Sequence, residues 1–470
     1  MPSRSQRNFS IALSSDTDVF LISEITQLVK ELESSTISDL PQPYKETILA
    51  DEFFFHIIRH DHFNPRLIEW LSSHSRVVAI PVPSYQAYIS DLLKNPQAIW
   101  AHAFRNQISE PARALLFTIY SVGNWTDAQD VAFPFTSLRR HQAAKYHWRT
   151  APRELRDALE EMDGGFLSYH SGHVTFLNPS IREFIGSLIA NEPEIVRDII
   201  ESAVRFKQIQ HLWELSGAYP SSALPEHLRS NASLILATLA RLLNAPEIRW
   251  DKQCDGSTTG HPIDMSAEWR IAFVLTVAET WHSIPFLDFA AQAADSLVQS
   301  WTRSGVNFGA TVHLLAEFKG KVWVQQNGGG RIYRAVLSGL LDNLESAHAT
   351  DWSSLLAFSE AAPDWTEADK DRLAEAFDQY QTNGVDDEIL NCSSSNEASA
   401  IVDALDTMQT KFGVDFAMKI SRLNEEFHEP DPSDDFRRGS WNSSARDNAE
   451  REYVSDEDIR QMFGTLADGN

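Results

Sequence analysis

The amino-acid sequence predicts a mainly α fold: a winged helix with a small β-hairpin, preceded by helices and followed by an α-solenoid-like helical array. Three observations support this prediction. Apolar residues recur at intervals of three and four, which places them on one face of a helix. Runs rich in aromatic and β-branched residues at 166–170 and 173–177 flank Ser171-Gly172, a pattern typical of a tight hairpin. Beyond Glu194 almost no strand pattern occurs.

The first predicted helices are amphipathic segments separated by breaks such as Ser38-Asp39-Leu40-Pro41. One helix is expected to begin at Asn64-Pro65, because Asn is a good cap and proline is tolerated in a first turn. Ser109-Glu110-Pro111 is a similar start signal. The other helices predicted in this part of the chain cover residues 19–32, 44–58, 85–93, 97–107, 109–121, 127–133 and 151–162.

Three helices followed by a hairpin is the element order of a winged helix. The next helix begins at Asn178-Pro179-Ser180, which repeats the Asn-Pro start. Amphipathic segments at 233–243, 268–281, 286–301 and 332–344 then predict stacked helical pairs. The chain is therefore expected to contain an N-terminal extension (1–30), a helical segment (31–94), a winged helix (95–190), a helical-repeat-like region (191–428), an acidic flexible linker (429–452) and a short C-terminal helix (453–470).

Charge and cysteine content restrict the possible functions. The net charge of -26 would repel a phosphate backbone if it were evenly spread, so any nucleic-acid contact must be local. The two cysteines, Cys254 and Cys392, exclude a disulfide framework and fit a reducing cytoplasm. No run of about 18 apolar residues occurs, so we expect no transmembrane helix and no membrane partner.

A histidine-rich stretch is the first candidate for chemistry. His56 and His60 are four residues apart on a predicted helix, with Asp61 and His62 close by, and zinc sites use histidines at this spacing. The HExxH pattern is absent because Ile57 stands at the position of its glutamate. The alternative interpretation is that these are helix-end histidines satisfied by backbone carbonyl groups.

A basic stretch at 139–156 is the second candidate. Its cations are interleaved with aromatic residues, which in a winged helix would suit contacts with an anion or a nucleic acid. The alternative is a solvated face, or an intramolecular partner for the acidic surface. The residues that we consider for such contacts are Arg139, Arg140, Lys145 and Arg149.

Two further stretches fit phosphate or anion binding less specifically. Arg59 and Arg66 flank the predicted helix start at Asn64-Pro65, where free N–H groups favour an anion. The run Asn327-Gly328-Gly329-Gly330-Arg331 precedes a predicted helix and is either an anion-binding nest or a flexible turn. We favour the turn, since Arg331 stands where a P-loop requires lysine.

Several stretches together resemble bacterial STAND NTPases of the third novel class. They are residues 62–70 (HFNPRLIEW), 95–100 with Ala103-Phe104, 107–116 and 174–184, in the order found in that family. The resemblance covers residues 31–214. It implies a helical lid over 31–94, a winged helix and a C-terminal helical sensor, in proteins that use nucleotide exchange or hydrolysis to switch assembly, often in defence against phage.

The resemblance also implies roles for individual residues. Asn64, Pro65 and Arg66 would lie near the nucleotide, and Phe176, Leu177 and Asn178 occupy the place of the winged-helix switch motif. Leu177 stands where related switch proteins carry a phosphate-contacting histidine. The P-loop and the magnesium-binding acidic strand would precede residue 31, where we expect no room for an ATPase core.

These observations lead to the expectation of a non-catalytic regulatory or ligand-sensing module of a STAND-type signalling or antiviral defence switch, located in the cytoplasm. We expect no cofactor in the chain itself; ATP or ADP and Mg²⁺ would bind only if a P-loop partner supplies the site. A protein partner is expected, either a separate ATPase or an effector chain. The alternative is a metal-dependent or nucleic-acid-acting enzyme that uses the histidine-rich stretch or the basic stretch.

Overall fold

The computed structural model describes residues 40–60, 77, 80–94, 97–123, 126–170, 172–252, 257–361 and 365–427. The predicted N-terminal extension, the helices over 19–32 and from Asn64, the linker 429–452 and the C-terminal helix lie outside the described residues. The described residues form two compact units. Unit 1 contains 40–139 and 146–189, and unit 2 contains 140–145 and 190–427.

Unit 1 is helical apart from one small sheet. Two of its helices extend into unit 2. The helix Ala128–Tyr146 contributes residues 140–145 to unit 2, and the last two residues of the helix Pro179–Asn191 also belong to unit 2. The helices are α1 (Gln42–Leu49), α2 (Phe53–Ile58), α3 (Tyr85–Lys94), α4 (Gln97–Asn106), α5 (Glu110–Val122), α6 (Ala128–Tyr146), α7 (Glu154–Met162) and α8 (Pro179–Asn191), and the strands are β1 (Thr126–Asp127), β2 (Leu167–His170) and β3 (His173–Phe176).

The single helix predicted over 44–58 is wrong, because the chain forms α1 and α2 with a 3-10 turn between them. Asp51 and Glu52 in this turn have φ angles of 55° and 56°, in the left-handed region that ends a right-handed helix. Helix α2 then buries Phe54, Phe55 and Ile57. Apolar periodicity could not reveal the break, because the spacing of buried residues continues across it.

The short helix predicted over 127–133 is also wrong, since α6 continues through Pro134 to Tyr146. A proline inside a helix removes one backbone hydrogen bond and normally ends the helix in a sequence-based prediction. Here Val131, Phe135 and Leu138 are all nearly fully buried, at spacings of four and three. Burial of this continuous apolar stripe offsets the hydrogen bond that proline removes.

The sheet of unit 1 is antiparallel with strand order β1-β3-β2. Leu167 pairs with Phe176 and Tyr169 with Val174, so the predicted hairpin is confirmed, whereas β1 was not predicted. The order α5-β1-α6-α7-β2-β3 follows the helix-helix-helix-hairpin sequence of a winged helix. The prediction of a mainly α fold with a small β-hairpin is confirmed.

Unit 2 consists of helices that pack on consecutive helices and on helices two or three positions further along the chain: Ala267–Trp281 on Ile284–Ser304, Ile284–Ser304 on Gly330–Leu341, Phe308–Glu317 on Ala349–Ala361, and Ala349–Ala361 on Ser395–Phe412. No described helix has the length and apolar character needed to cross a membrane. The helices are α9 (Pro193–Ser202), α10 (Phe206–Ala218), α11 (Leu224–Ser230), α12 (Ala232–Leu242), α13 (Ala267–Trp281), α14 (Ile284–Ser304), α15 (Phe308–Glu317), α16 (Gly330–Leu341), α17 (Ala349–Ala361), α18 (Glu367–Gln379), α19 (Val385–Asn391), α20 (Ser395–Phe412) and α21 (Ala417–Phe427).

Unit 2 also contains a hairpin that the sequence did not predict, formed by β4 (Ile248–Lys252) and β5 (Thr258–Pro262). One face exposes Ile248 and Trp250, and on the other Arg249 pairs with Asp251 at 3.0 Å. Trp250 lies opposite Gly260, where an added Cβ would come within 3.0 Å of the indole ring. The apolar alternation of β4 covers only residues 248–251, and β5 (TTGHP) has none, so the pattern was too short to predict a hairpin.

A buried ion pair joins three elements of unit 2. The Arg270 guanidinium lies 3.3 Å from the Asp264 carboxylate, and it also donates hydrogen bonds to the carbonyl oxygens of Leu242, Leu243 and Ala245. Asp264 in turn accepts hydrogen bonds from the N–H groups of Phe206 and Lys207, at the start of α10. The pair therefore satisfies backbone groups at the end of α12 and at the start of α10.

We expect the substitution Asp264→Ala to lower the free energy of unfolding by about 3 kcal/mol, because it leaves the Arg270 charge buried without its carboxylate. Urea unfolding followed by tryptophan fluorescence measures the change. The control is Asp295→Ala at an exposed position of α14, which should change stability by less than about 0.5 kcal/mol. Equal effects of the two substitutions would contradict the proposed role of the ion pair.

Candidate functional site

The histidine-rich stretch is only partly described. Helix α2 ends at Ile58, so His60 lies beyond the helix, although its ring centroid is 6.0 Å from that of His56. The His56 Nε2 atom lies 3.4 Å from the Ser90 hydroxyl. Asp61 and His62 lie outside the described residues. Among the residues that the structure does describe, no group of three or more potential ligands could hold a metal ion.

Two of the four candidate cations of the basic stretch, Arg139 and Lys145, are engaged in internal ion pairs. Arg139 is buried and donates two hydrogen bonds to the Glu154 carboxylate, at 3.1 and 3.2 Å. Lys145 lies 2.8 Å from Glu194 and 2.7 Å from the buried Asp198. The hydrogen bond from Lys145 lowers the pKa of Glu194. Arg140 and Arg149, the other two candidates, are exposed.

Helix α7 precedes the hairpin, and in helix-turn-helix proteins the corresponding helix enters the DNA groove. It contains four acidic residues and a single arginine, Arg156, which pairs with Glu160 at 2.7 Å. If Arg139, the partner of Glu154, is counted as well, the four carboxylates of α7 are balanced by only two guanidinium groups. A phosphate backbone would be repelled by this helix, so its composition does not favour nucleic-acid recognition.

An open cavity of about 570 Å³ lies against α7. Its charged lining residues are Arg153, Arg156, Glu160 and Asp163, and the exposed Tyr169 closes one side. Two cations and two anions leave the lining without a net charge. This cavity therefore has no evident preference for a charged ligand.

The residues predicted to form a switch motif lie in and next to the core of unit 1. Phe176 is buried in β3, and the Leu177 N–H donates to the Phe166 carbonyl oxygen at 3.0 Å. The buried Asn178 side chain accepts hydrogen bonds from the Ser180 N–H and hydroxyl groups, both at 2.8 Å. Asn178 therefore caps α8. The predicted nucleotide-proximal residues Asn64, Pro65 and Arg66 lie outside the described residues.

The clearest candidate for a binding site is a cavity of about 330 Å³ in unit 2. Small-molecule sites usually have volumes of about 300–1,000 Å³ and combine apolar walls with a few polar groups. This cavity lies beside the end of α15, the start of α16 and the end of α17. Its aromatic and polar lining residues are Phe318, Tyr333, Phe358, Lys319, Gln325 and Arg334.

One residue of the glycine run, Gly330, lines this cavity. Between Val322–Val324 and α16 the chain leaves the helical conformation at Asn327 and Gly328, where Gly328 has a φ of 106°, so the run forms a turn as the sequence predicted. At Gly329 an added Cβ would lie 2.6 Å from the Val324 carbonyl oxygen, so no side chain fits.

Polar contacts hold the cavity walls together. The Lys319 Nζ atom donates a hydrogen bond to the Ala361 carbonyl oxygen at 3.1 Å, and the Gln325 amide donates to the Phe318 carbonyl oxygen at 2.6 Å. Arg334 pairs with Asp369 at 2.7 Å. Burial tends to raise the pKa of Asp369, but hydrogen bonds from Thr366 and Arg334 outweigh it and lower the pKa.

Sequence reasoning missed the cavity because its aromatic residues are 15 and 25 positions apart and form no motif. The glycine run was the signal that pointed to it. A scan against protein-family models, a search of curated proteins and a search of solved structures each found no match to this chain. We therefore infer a function from the geometry of the described residues and from the resemblance of the motifs.

We expect Gly329 and Gly330, the second of which lines the cavity, to respond differently to alanine. Gly329→Ala should lower the free energy of unfolding by about 2 kcal/mol, because its methyl group collides with backbone atoms. Gly330→Ala should be neutral or stabilise by up to about 1 kcal/mol, since Gly330 has helical angles and nothing lies within 4 Å of an added Cβ. Urea unfolding of both variants tests this, and equal effects would contradict the close contact between Gly329 and Val324.

Asp369 should make stability dependent on pH. Because its folded-state pKa lies below the unfolded value, its contribution is present at neutral pH and is lost as the pH falls below about 4. Asp369→Asn should therefore cost about 1 kcal/mol at pH 7 and progressively less in acid. Urea unfolding between about pH 3 and 7 measures this, with Asp371→Asn at an exposed position of α18 as the control. A difference between wild type and Asp369→Asn that does not vary with pH would contradict the assignment.

Proposed function

We propose that this chain is a non-catalytic regulatory or ligand-sensing module of a STAND-type signalling or defence switch. The cavity in unit 2 carries the proposal, because it gives the helical unit a place where a small molecule can bind. A bound ligand stabilises the state to which it binds and so shifts a conformational equilibrium. In this proposal unit 2 recognises the trigger, and the winged helix is the docking or switching element.

The order of the sequence motifs supports the STAND-type assignment. The stretches at 62–70, 107–116 and 174–184 follow one another as they do in that family. The described residues between Glu110 and Phe176 form three helices followed by a hairpin, which is the element order expected of a winged helix. The surroundings of Asn178 add a well-defined start for the helix that follows the hairpin.

Nucleotide chemistry belongs to a separate chain in this proposal. Phosphoryl transfer depends on a phosphate-binding loop with its lysine and on a positioned magnesium ion. The partner would supply these groups and bind ATP or ADP with Mg²⁺, while Asn64, Pro65 and Arg66 approach the nucleotide. The proposed location is the cytoplasm, and the partner is an ATPase or an effector protein.

We expect the purified chain to release phosphate from ATP with Mg²⁺ no faster than a buffer blank, because the chain acts without a catalytic centre of its own. A colorimetric phosphate assay measures the rate. Turnover that disappears in Arg66→Ala but persists in the control Arg303→Ala, at an exposed position of α14, would contradict the proposal.

Metal analysis provides a second test of the same proposal. We expect no stoichiometric zinc or manganese in the purified protein, because the proposed role uses no metal chemistry. One equivalent of either metal that is lost in His56→Ala and in His60→Ala would instead favour a metal-dependent enzyme. The corresponding control is His348→Ala, an exposed histidine that lies 3.7 Å from Glu388.

A further inference from the structure

The cavity in unit 2 has a chemical character that narrows the class of its ligand. Three aromatic side chains, Phe318, Tyr333 and Phe358, line it. Their rings offer flat apolar surface, and aromatic groups pack well against such surface in offset or edge-to-face arrangements. The volume of about 330 Å³ suits one small organic molecule and is too small for a folded partner.

The charge of the cavity lining is positive. None of the described lining residues is acidic, and two of them, Lys319 and Arg334, are cationic. Arg334 is neutralised by Asp369, whose lowered pKa keeps the carboxylate ionised at neutral pH. Among the described residues, the Lys319 ammonium group donates a hydrogen bond to the Ala361 carbonyl oxygen, which is an acceptor without net charge. One positive charge is therefore not balanced by the described residues.

This local charge has the opposite sign to the chain as a whole, which carries a net charge of -26. A general electrostatic attraction for anions is therefore absent, and an anion must be selected by contacts inside the cavity. The Lys319 ammonium group has three N–H donors, of which the Ala361 carbonyl oxygen takes one. The remaining donors can meet the oxygens of a carboxylate, sulfonate or phosphate group.

We propose that this cavity binds a small aromatic monoanion, whose ring packs against Phe318, Tyr333 and Phe358 and whose anionic group meets Lys319. The inference rests on the proposed sensing function, since it names the class of molecule that unit 2 would sense. A ring and one anionic group are both required, because the lining has both an apolar surface and a single unbalanced charge.

Gly330 allows the cavity to be blocked without disturbing the fold. It lines the cavity, has helical backbone angles, and leaves open space around an added Cβ. A leucine side chain at this position would occupy part of the cavity volume. Gly217 is a matched control, because it is also a helical glycine with nothing within 4 Å of an added Cβ, and it lies in α10, away from the cavity.

The experiment compares two fluorescent probes with the same ring system, anilinonaphthalene sulfonate and its uncharged counterpart N-phenylnaphthylamine, on the full chain. We expect Gly330→Leu to weaken the binding of both probes about tenfold. Lys319→Gln should weaken sulfonate binding about tenfold and change the binding of the neutral probe less than about twofold, because it removes one charge-assisted contact. The controls are Gly217→Leu and Lys411→Gln, the latter at an exposed position of α20. Neither substitution should change the affinity for either probe.

Two results would overturn the proposal. Sulfonate binding that is unaffected by Gly330→Leu would show that the cavity is not the site. Equal losses for both probes in Lys319→Gln would show that the site does not select an anion. Neither result would contradict the non-catalytic role, which is tested separately by measuring ATP turnover. Conversely, ATP turnover would refute the proposed function without altering the probe affinities.

Discussion

The buried pair of Arg270 and Asp264 is the interaction on which the arrangement of unit 2 depends. A buried charge costs several kcal/mol unless it is paired and hydrogen-bonded, and helix ends have backbone groups without intrahelical partners. The Arg270–Asp264 pair balances each buried charge with the other, and it also provides partners for backbone groups at helix ends. Arg270 binds carbonyl oxygens at and beyond the end of α12, and Asp264 binds N–H groups at the start of α10. Arg270 itself lies in α13, so three helices are fixed by two side chains.

Helix α13 links this ion pair to the wall of the candidate site. Near its C-terminal end, the Glu279 carboxylate accepts hydrogen bonds from the N–H groups of Trp323 and Val324, at 3.1 and 2.9 Å. These residues lead directly into the turn at residues 325–329, where Gly329 allows close contact with Val324. The position of the cavity wall therefore follows from backbone hydrogen bonding and close packing. The wall needs no ligand to hold it in place, which suits a preformed site.

The distribution of charge explains why we infer ligand binding at the cavity in unit 2 but not at the basic stretch. Arg139 and Lys145 each meet carboxylates, so their charge serves the cohesion of the fold. Helix α7 is acidic, which opposes contact with a phosphate backbone. Lys319 differs because its described partner is a neutral carbonyl oxygen. In an acidic protein, a cation that lines an aromatic cavity and meets no described carboxylate is more informative about ligand binding than the paired Arg139 and Lys145.

The sequence by itself determined the mainly α fold class, the hairpin and several helix starts, because these signals are local. Ser109 caps α5 and Asn178 caps α8 where the sequence predicted helix starts, since a cap and its N–H partner lie within three residues. Tertiary structure alone decided that α6 continues past Pro134, that Lys145 meets Asp198 some 53 positions away, and that three distant aromatic residues line one cavity. Apolar periodicity shows which face of a helix is buried; what covers that face depends on packing between distant segments.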